Sequence, residues 1–394
     1  MYERKQLKII LSRITERKNL IQVITGPKQV GKTTLANQLT KKIKIPFHFV
    51  SADAIPSSNS IWIQQQWDSV RAKLKSSGSS VYLLVIDEIQ KINNWSELVK
   101  KEWDKDRRQN INIRVILLGS STLLIAKGLS ESLMGRFELI QLPHWSYSEM
   151  AEAFDFSAED FVYFGGYPGS AHLIEDELRW KDYIRNSIIE PTISKDILQL
   201  TSIQKPALLK NLFELGCIFS GEVLSYTKIL GQLTGVGNTT TLSQYQKLLD
   251  EAWLLSGIQK FSGSKIKSRS SSPKWLVYNT SLSSVYDDSY FKSIKNDQVK
   301  WGRKVEQAVG THLINSARVN NFQIFYWREV NDEVDFIIQR GKKIIPIEVK
   351  IGKIKSQKGL KAFSNKYKTS EAILISDDAF QWQEFLGIDV MDLF

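Results

Sequence analysis

The sequence predicts an α/β protein with a parallel-sheet domain at its N-terminal end, a mainly helical middle region and a second α/β domain at its C-terminal end. Over residues 20–142, short apolar segments rich in β-branched residues alternate with helix-patterned segments, which is typical of a parallel sheet. Near the C-terminal end, two apolar segments flank a Gly-Lys turn and indicate a hairpin. A length of 394 residues is enough for two or three domains.

The composition favours folded domains and excludes several classes of protein. Hydrophobic residues make up 42% of the chain, and the single cysteine, Cys217, excludes an internal disulfide. The four histidines are scattered and do not have zinc-site spacing. The longest apolar runs, such as 81–86, are too short to cross a bilayer, and the charged start MYERKQLK is unlike a signal peptide. We therefore expect a cytoplasmic protein with no membrane partner.

The net charge of +11 is concentrated in two regions of the chain. Residues 1–50 hold eleven Lys and Arg against two Glu, and residues 255–305 hold ten against three Asp. Basic regions attract nucleic acid because binding releases counterions from its phosphates. DNA is the partner that this charge suggests, and a lysine-rich surface that contacts only solvent is the alternative.

The segment at 20–34 combines a buried strand, a glycine loop and the start of a helix. The loop matches G-x-x-x-x-G-K-[ST], in which glycines let backbone amides surround phosphate and the helix N-terminus adds partial positive charge. We expect Lys32 to contact the β- and γ-phosphates of ATP, and Thr33 to bind Mg²⁺. A glycine turn before a basic helix is the alternative. The predicted nucleotide-binding residues are Gly26, Pro27, Lys28, Gln29, Val30, Gly31, Lys32, Thr33 and Thr34.

A second apolar strand, at 81–86, ends in two acidic residues, Asp87 and Glu88. We expect Asp87 to hold Mg²⁺, directly or through water, and Glu88 to orient and polarise the attacking water. Such a pair is common by itself, but its place about 55 residues after Lys32 makes it informative.

Further segments complete the predicted N-terminal domain. Ser120 or Ser121, at the tip of the strand beside the phosphate loop, is the candidate sensor of the γ-phosphate, and a turn that caps the next helix is the alternative. The strand at 137–142 would complete a five-stranded parallel sheet. The other elements predicted here are a basic amphipathic helix at 3–18, helices at 62–76 and 95–107, and strands at 46–50 and 113–118.

The middle region resembles a winged helix over residues 203–280. Its helices are predicted at 206–219, 225–233 and 241–255, followed by a hairpin around a basic loop at 262–274. A helical lid whose hairpin is mobile is the alternative. If the region binds DNA, the phosphate contacts are expected at Gln244, Lys247, Lys265, Lys267, Arg269 and Lys274.

The C-terminal hairpin is predicted to hold two opposed carboxylates. A two-residue turn at 341–342 sets a register in which Asp335 lies opposite Glu348, with Glu333 facing Lys350. The apolar residues of both strands fall on the other face, which we expect to be the buried one. Opposed carboxylates at ~5 Å repel by about 3 kcal/mol at an effective dielectric near 20, so a partly buried pair favours a divalent cation. An exposed hairpin with one charged face is the alternative.

The N-terminal part of the chain resembles the bacterial and archaeal AAA-type ATPases of the ASCE class in the segments GPKQVGKTTL, VIDEIQKI, LLGSS and ESLMGRFELIQLPHWSYSE. More narrowly, it is similar to the group that carries a C-terminal domain with a restriction-endonuclease-like signature. The resemblance implies ATP hydrolysis and an arginine that acts on the γ-phosphate from a neighbouring subunit or domain. Arg136 matches this arginine, and because the arginine can come from a neighbouring subunit, a homo-oligomer is possible. The alternative is that Arg136 is a structural arginine paired with Glu138.

The C-terminal residues resemble the D…E-x-K site of the PD-(D/E)XK nuclease superfamily. By this resemblance Asp335 and Glu348 bind Mg²⁺ or Mn²⁺, Lys350 positions or activates the attacking water, and Glu306 on the preceding helix completes the metal site. Many domains of this kind keep the fold and the acids without cleaving anything. Binding of nucleic acid without cleavage therefore stays open.

The sequence thus predicts four regions: an AAA-type ATPase domain at 1–165, a helical linker or lid at 166–202, a winged-helix-like domain at 203–280 and a nuclease-like domain at 281–394. We expect an ATP-hydrolysing protein that acts on DNA, with metal-dependent cleavage as an open question. The alternative is a nucleotide-controlled switch whose C-terminal domain binds nucleic acid or a protein partner.

Overall fold

The structure is a computed structural model that divides into two compact units, Met1–Leu142 and Pro143–Phe394. It describes residues 2–17, 19–119, 129, 132–198, 203–233, 238–262, 271–352 and 357–394. Ser120 and Ser121, together with Lys265, Lys267 and Arg269, lie outside the described residues.

The first unit is built on a five-stranded parallel sheet in the order β2-β3-β4-β1-β5. Every residue of β1 and β3 is buried, which explains why these strands are continuous apolar runs in the sequence. The predicted parallel sheet of five strands is confirmed. The strands are β1 (Ile21–Thr25), β2 (Phe47–Ser51), β3 (Tyr82–Asp87), β4 (Ile113–Gly119) and β5 (Phe137–Gln141).

Helices pack against this sheet through their apolar faces. The predicted N-terminal helix is present but shorter than expected, and it buries Leu7, Ile10 and Ile14. A cluster of tryptophans, including Trp67 and Trp95, joins two further helices to the strands. The helices are α1 (Gln6–Thr15), α2 (Lys32–Lys42), α3 (Ile61–Ser77) and α4 (Trp95–Arg108).

A buried ionic cluster connects α3 to α4. Arg71 of α3 donates from Nε to Asp106 Oδ1 and from Nη1 to Glu102 Oε2, both over 2.7 Å. Trp67 Nε1 donates to the other oxygen of Asp106 over 3.0 Å. Burial raises the pKa of Asp106, although its bond to Arg71 opposes this shift. These polar contacts fix how the two helices pack.

The second unit begins with a series of helices. The first two start with capping boxes, formed by Ser146 with Glu149 and by Ser157 with Asp160. The three helices predicted for the middle region are present, with shifted ends. The helices are α5 (Tyr147–Phe154), α6 (Ala158–Phe164), α7 (Glu177–Tyr183), α8 (Pro206–Ile218), α9 (Tyr226–Gln232) and α10 (Thr239–Glu251), with π-helical turns at Ile184–Ile189 and Thr192–Ile197.

A six-stranded mixed sheet, in the order β11-β10-β9-β8-β6-β7, forms the rest of the second unit. The pairs β10–β11 and β6–β8 are parallel, and the other pairs are antiparallel. The strands are β6 (Leu255–Lys260), β7 (Lys274–Val277), β8 (Gln323–Glu329), β9 (Asp332–Arg340), β10 (Lys343–Lys350) and β11 (Ile373–Ser376). The helices are α11 (Ser281–Ser284), α12 (Phe291–Asn296), α13 (Gln298–Asn320), α14 (Lys358–Tyr367) and α15 (Trp382–Gly387).

The hairpin expected to form a wing belongs to this sheet. Its strands β6 and β7 pair antiparallel as predicted, but β6 also pairs with β8. All four residues of β7 are buried, so the hairpin contributes to the core of the sheet. The boundary predicted at residue 280 thus falls between strands of one sheet.

The register of the β9–β10 hairpin is the predicted one, with Arg340 paired to Lys343 and Phe336 to Ile347. The expectation that only one face of the hairpin is buried is wrong. Ile337, on the same face as Asp335, packs against Phe363 of α14. On the other face, a Cβ added to Gly310 of α13 would meet the Phe336 ring at 2.7 Å. Both faces are covered because a helix packs on each side.

No helix within the described residues combines the length and the hydrophobicity that a membrane crossing requires.

Candidate functional site

The loop between β1 and α2 has the backbone that its glycines predict. A Cβ added to Gly26 would lie 2.1 Å from the carbonyl oxygen of Leu142, so only glycine fits there. Gly31 precedes α2 with φ of +89°, in the left-handed region that favours glycine. The loop therefore leads directly into the N-terminus of α2, where backbone amides can bind phosphate.

Lys32 lies at the start of α2 with its ammonium over this loop. It donates to the carbonyl oxygens of Gly26, over 3.0 Å, and of Pro27, over 2.6 Å. The side chain is buried against the loop that it is predicted to serve. Its position agrees with a role in binding the terminal phosphates of a nucleotide.

Thr33 and Asp87 bring the phosphate loop and the end of β3 into direct contact. The hydroxyl of Thr33 donates to Asp87 Oδ2 over 2.7 Å, and Asp87 Oδ1 accepts the Glu88 N–H over 2.9 Å. Burial raises the pKa of Asp87, and the Thr33 hydroxyl opposes that shift. A hydroxyl and a carboxylate oxygen are ligands that Mg²⁺ prefers. The residues present thus fit a magnesium ion bound together with nucleotide phosphates.

Glu88 leaves the end of β3 in a left-handed conformation, with φ of 53°. Its carboxylate accepts a hydrogen bond from Nε2 of Gln90. Gln90 Oε1 is buried and, among the residues that the structure describes, has no hydrogen-bond partner. Sequence reasoning missed Gln90, and its place two residues after the predicted catalytic glutamate was the available signal.

Arg136 forms a two-pronged contact with Asp104 of α4. Its Nε and Nη2 donate to the two carboxylate oxygens over 2.9 and 3.2 Å. The alternative of a structural arginine named the wrong partner, because Arg136 pairs with Asp104, while Glu138 accepts from Gln22 over 2.9 Å and lies 3.7 Å from Arg13. A role for Arg136 at a nucleotide stays a prediction.

A second candidate site is a cavity of about 770 Å³ beside β9 and β10, lined in part by Glu306, Asp335, Glu348 and Lys350. Asp335 Oδ2 accepts the backbone N–H of Val349 over 2.8 Å. Glu348 Oε2 is buried and lacks a hydrogen bond of good geometry within the described part of the chain, although the backbone N–H of Leu360 opposes the rise in the pKa of this carboxylate. This oxygen suits a cation.

Lys350 forms its ion pair with Glu348, at 3.1 Å between Nζ and Oε1, while Glu333 lies 3.6 Å from Arg328. Burial raises the pKa of Glu348, and Lys350 opposes that shift. Burial lowers the pKa of Lys350, but the charges of Asp335 and Glu348 outweigh it and the pKa is raised. The lysine and its carboxylate neighbours thus stabilise one another in their charged forms.

Lys274, expected to contact phosphate, is instead buried inside this carboxylate cluster with an exposure of 1%. Its ammonium lies 2.6 Å from Glu306 Oε1 and 3.8 Å from Asp335 Oδ1. Burial and the charge of Asp335 raise the pKa of Glu306 to about 7, against the effect of Lys274. The phosphate-contact expectation for Lys274 is wrong because β7, although it is the edge strand of the sheet, is fully buried, and the Lys274 side chain lies against the acids.

No group of three or more His, Cys, Asp or Glu side chains that could hold a metal ion occurs in the described ranges. Glu306, Asp335 and Glu348 are therefore not arranged as one set of three ligands. Asp335 and Glu348 fit a cation better than Glu306, whose carboxylate is already bound by an ammonium.

Comparisons with known proteins agree with the first site. Residues 18–151 match the family model of the AAA domain, residues 155–288 match a domain of unknown function (DUF8612), and residues 301–390 match another (DUF4143). No curated protein matches the chain. Residues 18–151 are thus similar to an AAA domain.

Solved structures also resemble the chain. The Walker-type ATPase PABY2304 of Pyrococcus abyssi is 13% identical with a TM-score of 0.48, over 72% of this chain and 95% of that one. Two variants of Thermotoga maritima RuvB are 20% and 19% identical, with TM-scores of 0.32 and 0.33, over 64% of this chain and 87% of theirs.

Proposed function

We propose that this protein binds and hydrolyses ATP and uses that cycle to act on DNA. The observation that carries the ATPase proposal is the hydrogen bond of 2.7 Å between Thr33 and Asp87, which joins the phosphate loop to the acidic end of β3. The AAA domain match over residues 18–151 supports it.

In this proposal the phosphates of ATP bind the amides of the loop at 26–34, and Lys32 contacts the β- and γ-phosphates. Thr33 and Asp87 would hold Mg²⁺, which neutralises charge on the phosphates. Glu88 orients the attacking water and polarises it, while Gln90 holds the Glu88 carboxylate in place. Ser120 and Arg136 are the proposed contacts to the γ-phosphate.

The test is steady-state ATP hydrolysis with and without single-stranded, duplex and branched DNA. Glu88→Gln keeps the shape of the side chain but cannot accept a proton, so turnover should fall by roughly 100-fold or more while ATP still binds. Normal hydrolysis in that variant would move the catalytic role to another residue. If none of the three DNA forms changes the rate, DNA is not the partner that the ATPase cycle serves.

We propose that DNA contacts a winged-helix-like surface on the second unit. The helices α8, α9 and α10 and the β6–β7 hairpin support this proposal. Gln244 and Lys247 are exposed on α10 and line a cavity of about 510 Å³. The basic residues Lys265, Lys267 and Arg269 follow β6 in the sequence. These side chains would contact phosphates and give affinity without sequence preference.

We further propose that the C-terminal residues form a nuclease-like domain that binds a divalent cation through Asp335 and Glu348. The order of a helix, three antiparallel strands, a second helix and a parallel strand supports a relation to the PD-(D/E)XK superfamily. The cation would activate water and stabilise charge on a phosphodiester. Lys350, held by Glu348, would position that water.

A domain that binds nucleic acid or a protein partner without cleavage is the second candidate, favoured by the buried ion pair of Lys274 with Glu306. DNA nicking with Mg²⁺ or Mn²⁺ separates the two. Cleavage should disappear in Asp335→Asn and in Lys350→Ala, while ATP hydrolysis without DNA continues. Absence of nicking on single-stranded, duplex and branched DNA would leave the domain as a binding module.

A further inference from the structure

The ammonium group of Lys274 is buried and surrounded by groups that stabilise a positive charge. Its exposure is 1%, and its ammonium contacts Glu306 Oε1 at 2.6 Å and the carbonyl oxygen of Asp335 at 3.3 Å. It also lies 4.5 Å from the centre of the Phe336 ring, within the range of a cation–π contact. An ammonium buried this deeply requires a counter-charge, and Glu306 provides it.

The backbone of Lys274 is held on two sides. Lys274 is the first residue of β7, which pairs with β6, and it also forms a bridge with Val223. The next residue, Trp275, donates its backbone N–H to the carbonyl oxygen of Glu222 over 3.0 Å, and its own carbonyl oxygen accepts the backbone N–H of Gly221 over 2.7 Å. These contacts fix the position from which the side chain extends, and its exposure of 1% shows that it is enclosed.

We infer that Lys274 takes Glu306 out of the metal-ligand set and limits the cavity to one divalent cation, bound by Asp335 and Glu348. The inference rests on the metal site proposed above. Nζ of Lys274 lies only 3.8 Å from Asp335 Oδ1, so a second divalent ion between Glu306 and Asp335 would meet a positive charge. Glu348 Oε2, buried without a hydrogen bond of good geometry in the part of the chain that the structure describes, stays available to the single ion.

Mn²⁺ binding to the nucleotide-free full chain, measured by calorimetry and by the electron paramagnetic resonance of free Mn²⁺, tests this inference. All proteins carry Lys32→Ala and Asp87→Asn, which remove a phosphate contact and a proposed metal ligand of the nucleotide site. The parent should bind one ion, and Lys274→Met should bind a second ion or bind the first roughly 10-fold more tightly. Adding Glu306→Gln to Lys274→Met should remove that gain, because the gain requires a freed Glu306 carboxylate.

The matched control is Lys304→Met. Lys304 is also a largely enclosed lysine and lies on α13, but its ion pair of 2.7 Å is with Asp287, which does not line the cavity, whereas Lys274 pairs with Glu306, which does. Its loss should leave the Mn²⁺ stoichiometry and affinity at the parent values. A gain in both lysine variants would point to a general loosening of the unit and would overturn the inference.

The double variant Lys274→Met with Glu306→Gln decides the question if Lys274→Met alone fails to fold, because it removes both charges of the buried ion pair. By our inference it changes the Mn²⁺ dissociation constant far less than Asp335→Asn does. Equal losses in the double variant and in Asp335→Asn would make Glu306 a metal ligand and overturn the inference. If Asp335→Asn has no effect on Mn²⁺ binding, the proposed metal site itself is wrong, which is a separate outcome.

Discussion

Replacing Arg71 by Met should destabilise the nucleotide-binding unit more than any surface charge change. The substitution keeps the unbranched stem of the side chain but removes three ionic contacts, to Asp68, Glu102 and Asp106. Asp106 retains a hydrogen bond from Trp67. The Glu102 side chain is 3% exposed and the Asp106 side chain 6%, so water cannot replace the guanidinium.

The expected loss is about 3–5 kcal/mol of unfolding free energy, the cost of leaving buried charges without their partner. The control is Arg136→Met, since Arg136 and its partner Asp104 are 29% and 28% exposed. A more exposed pair of this kind contributes about 0–1 kcal/mol. The two variants therefore remove the same guanidinium from the same unit and differ in the burial of its partners.

The assay is a urea titration, in which the transition of this unit is the one that ATP with Mg²⁺ shifts to higher urea. The pH dependence supplies a second check. Burial raises the pKa of Asp106 even with Arg71 present, and removing Arg71 raises it further. A carboxylate with a raised folded-state pKa loses stability as the pH rises through that pKa, so the deficit of Arg71→Met should shrink between pH 8 and pH 5.

Two results would refute this reasoning. The first is a loss in Arg71→Met no larger than that in Arg136→Met. The second is a deficit that grows as the pH falls, because protonation of Asp106 should relieve an unpaired buried charge.

Other predictions address the two candidate sites. Lys32→Ala should abolish the rise in melting temperature with ATP and Mg²⁺, a rise that corresponds to about 2.7 kcal/mol at 100 times the dissociation constant, and an unchanged shift would contradict the nucleotide assignment. Gln90→Leu should lower kcat by up to about 100-fold with little change in ATP affinity, because it releases the Glu88 carboxylate, and a normal kcat would limit Gln90 to a structural role. Asp335→Asn should change the stability in metal-free buffer by less than about 1 kcal/mol, since Lys274 already offsets the carboxylate repulsion, and a larger loss on thermal unfolding would contradict this. Replacing the basic loop residues Lys265, Lys267 and Arg269 with Ala should weaken binding to all DNA sequences alike. The slope of the logarithm of the DNA-binding constant against the logarithm of the salt concentration should fall by about one unit per lost phosphate contact. An unchanged slope would mean that DNA binds elsewhere.

The features that sequence reasoning predicted correctly depend on local signals. The phosphate loop follows from a short motif between a strand and a helix. The β9–β10 register follows from a two-residue turn, which fixes every pair beyond it. The five parallel strands follow from apolar runs that a sheet covered on both faces requires.

The features that sequence reasoning missed depend on contacts between distant parts of the chain. Lys274 reaches Asp335 across 61 residues of sequence, and nothing in the segment KWLV indicates which side chain its lysine will meet. Asp104 and Arg136 likewise meet only because α4 lies near the start of β5. The burial of Ile337 depends on α14, and the sequence of α14 does not indicate which strand its apolar face will cover.

The charged side chains near Asp335 and Glu348 determine how many further ligands and how much further negative charge a bound divalent cation would require. When Glu306 is ionised, the carboxylates of Glu306, Asp335 and Glu348 outnumber the nearby ammonium groups of Lys274 and Lys350 by one. A divalent ion would therefore find little excess negative charge among these five side chains and few protein oxygens, whereas Mg²⁺ requires six ligands. Phosphate oxygens of a bound nucleic acid would supply both further charge and further ligands. Metal and nucleic acid should then strengthen each other's binding by the same factor, because such coupling is reciprocal.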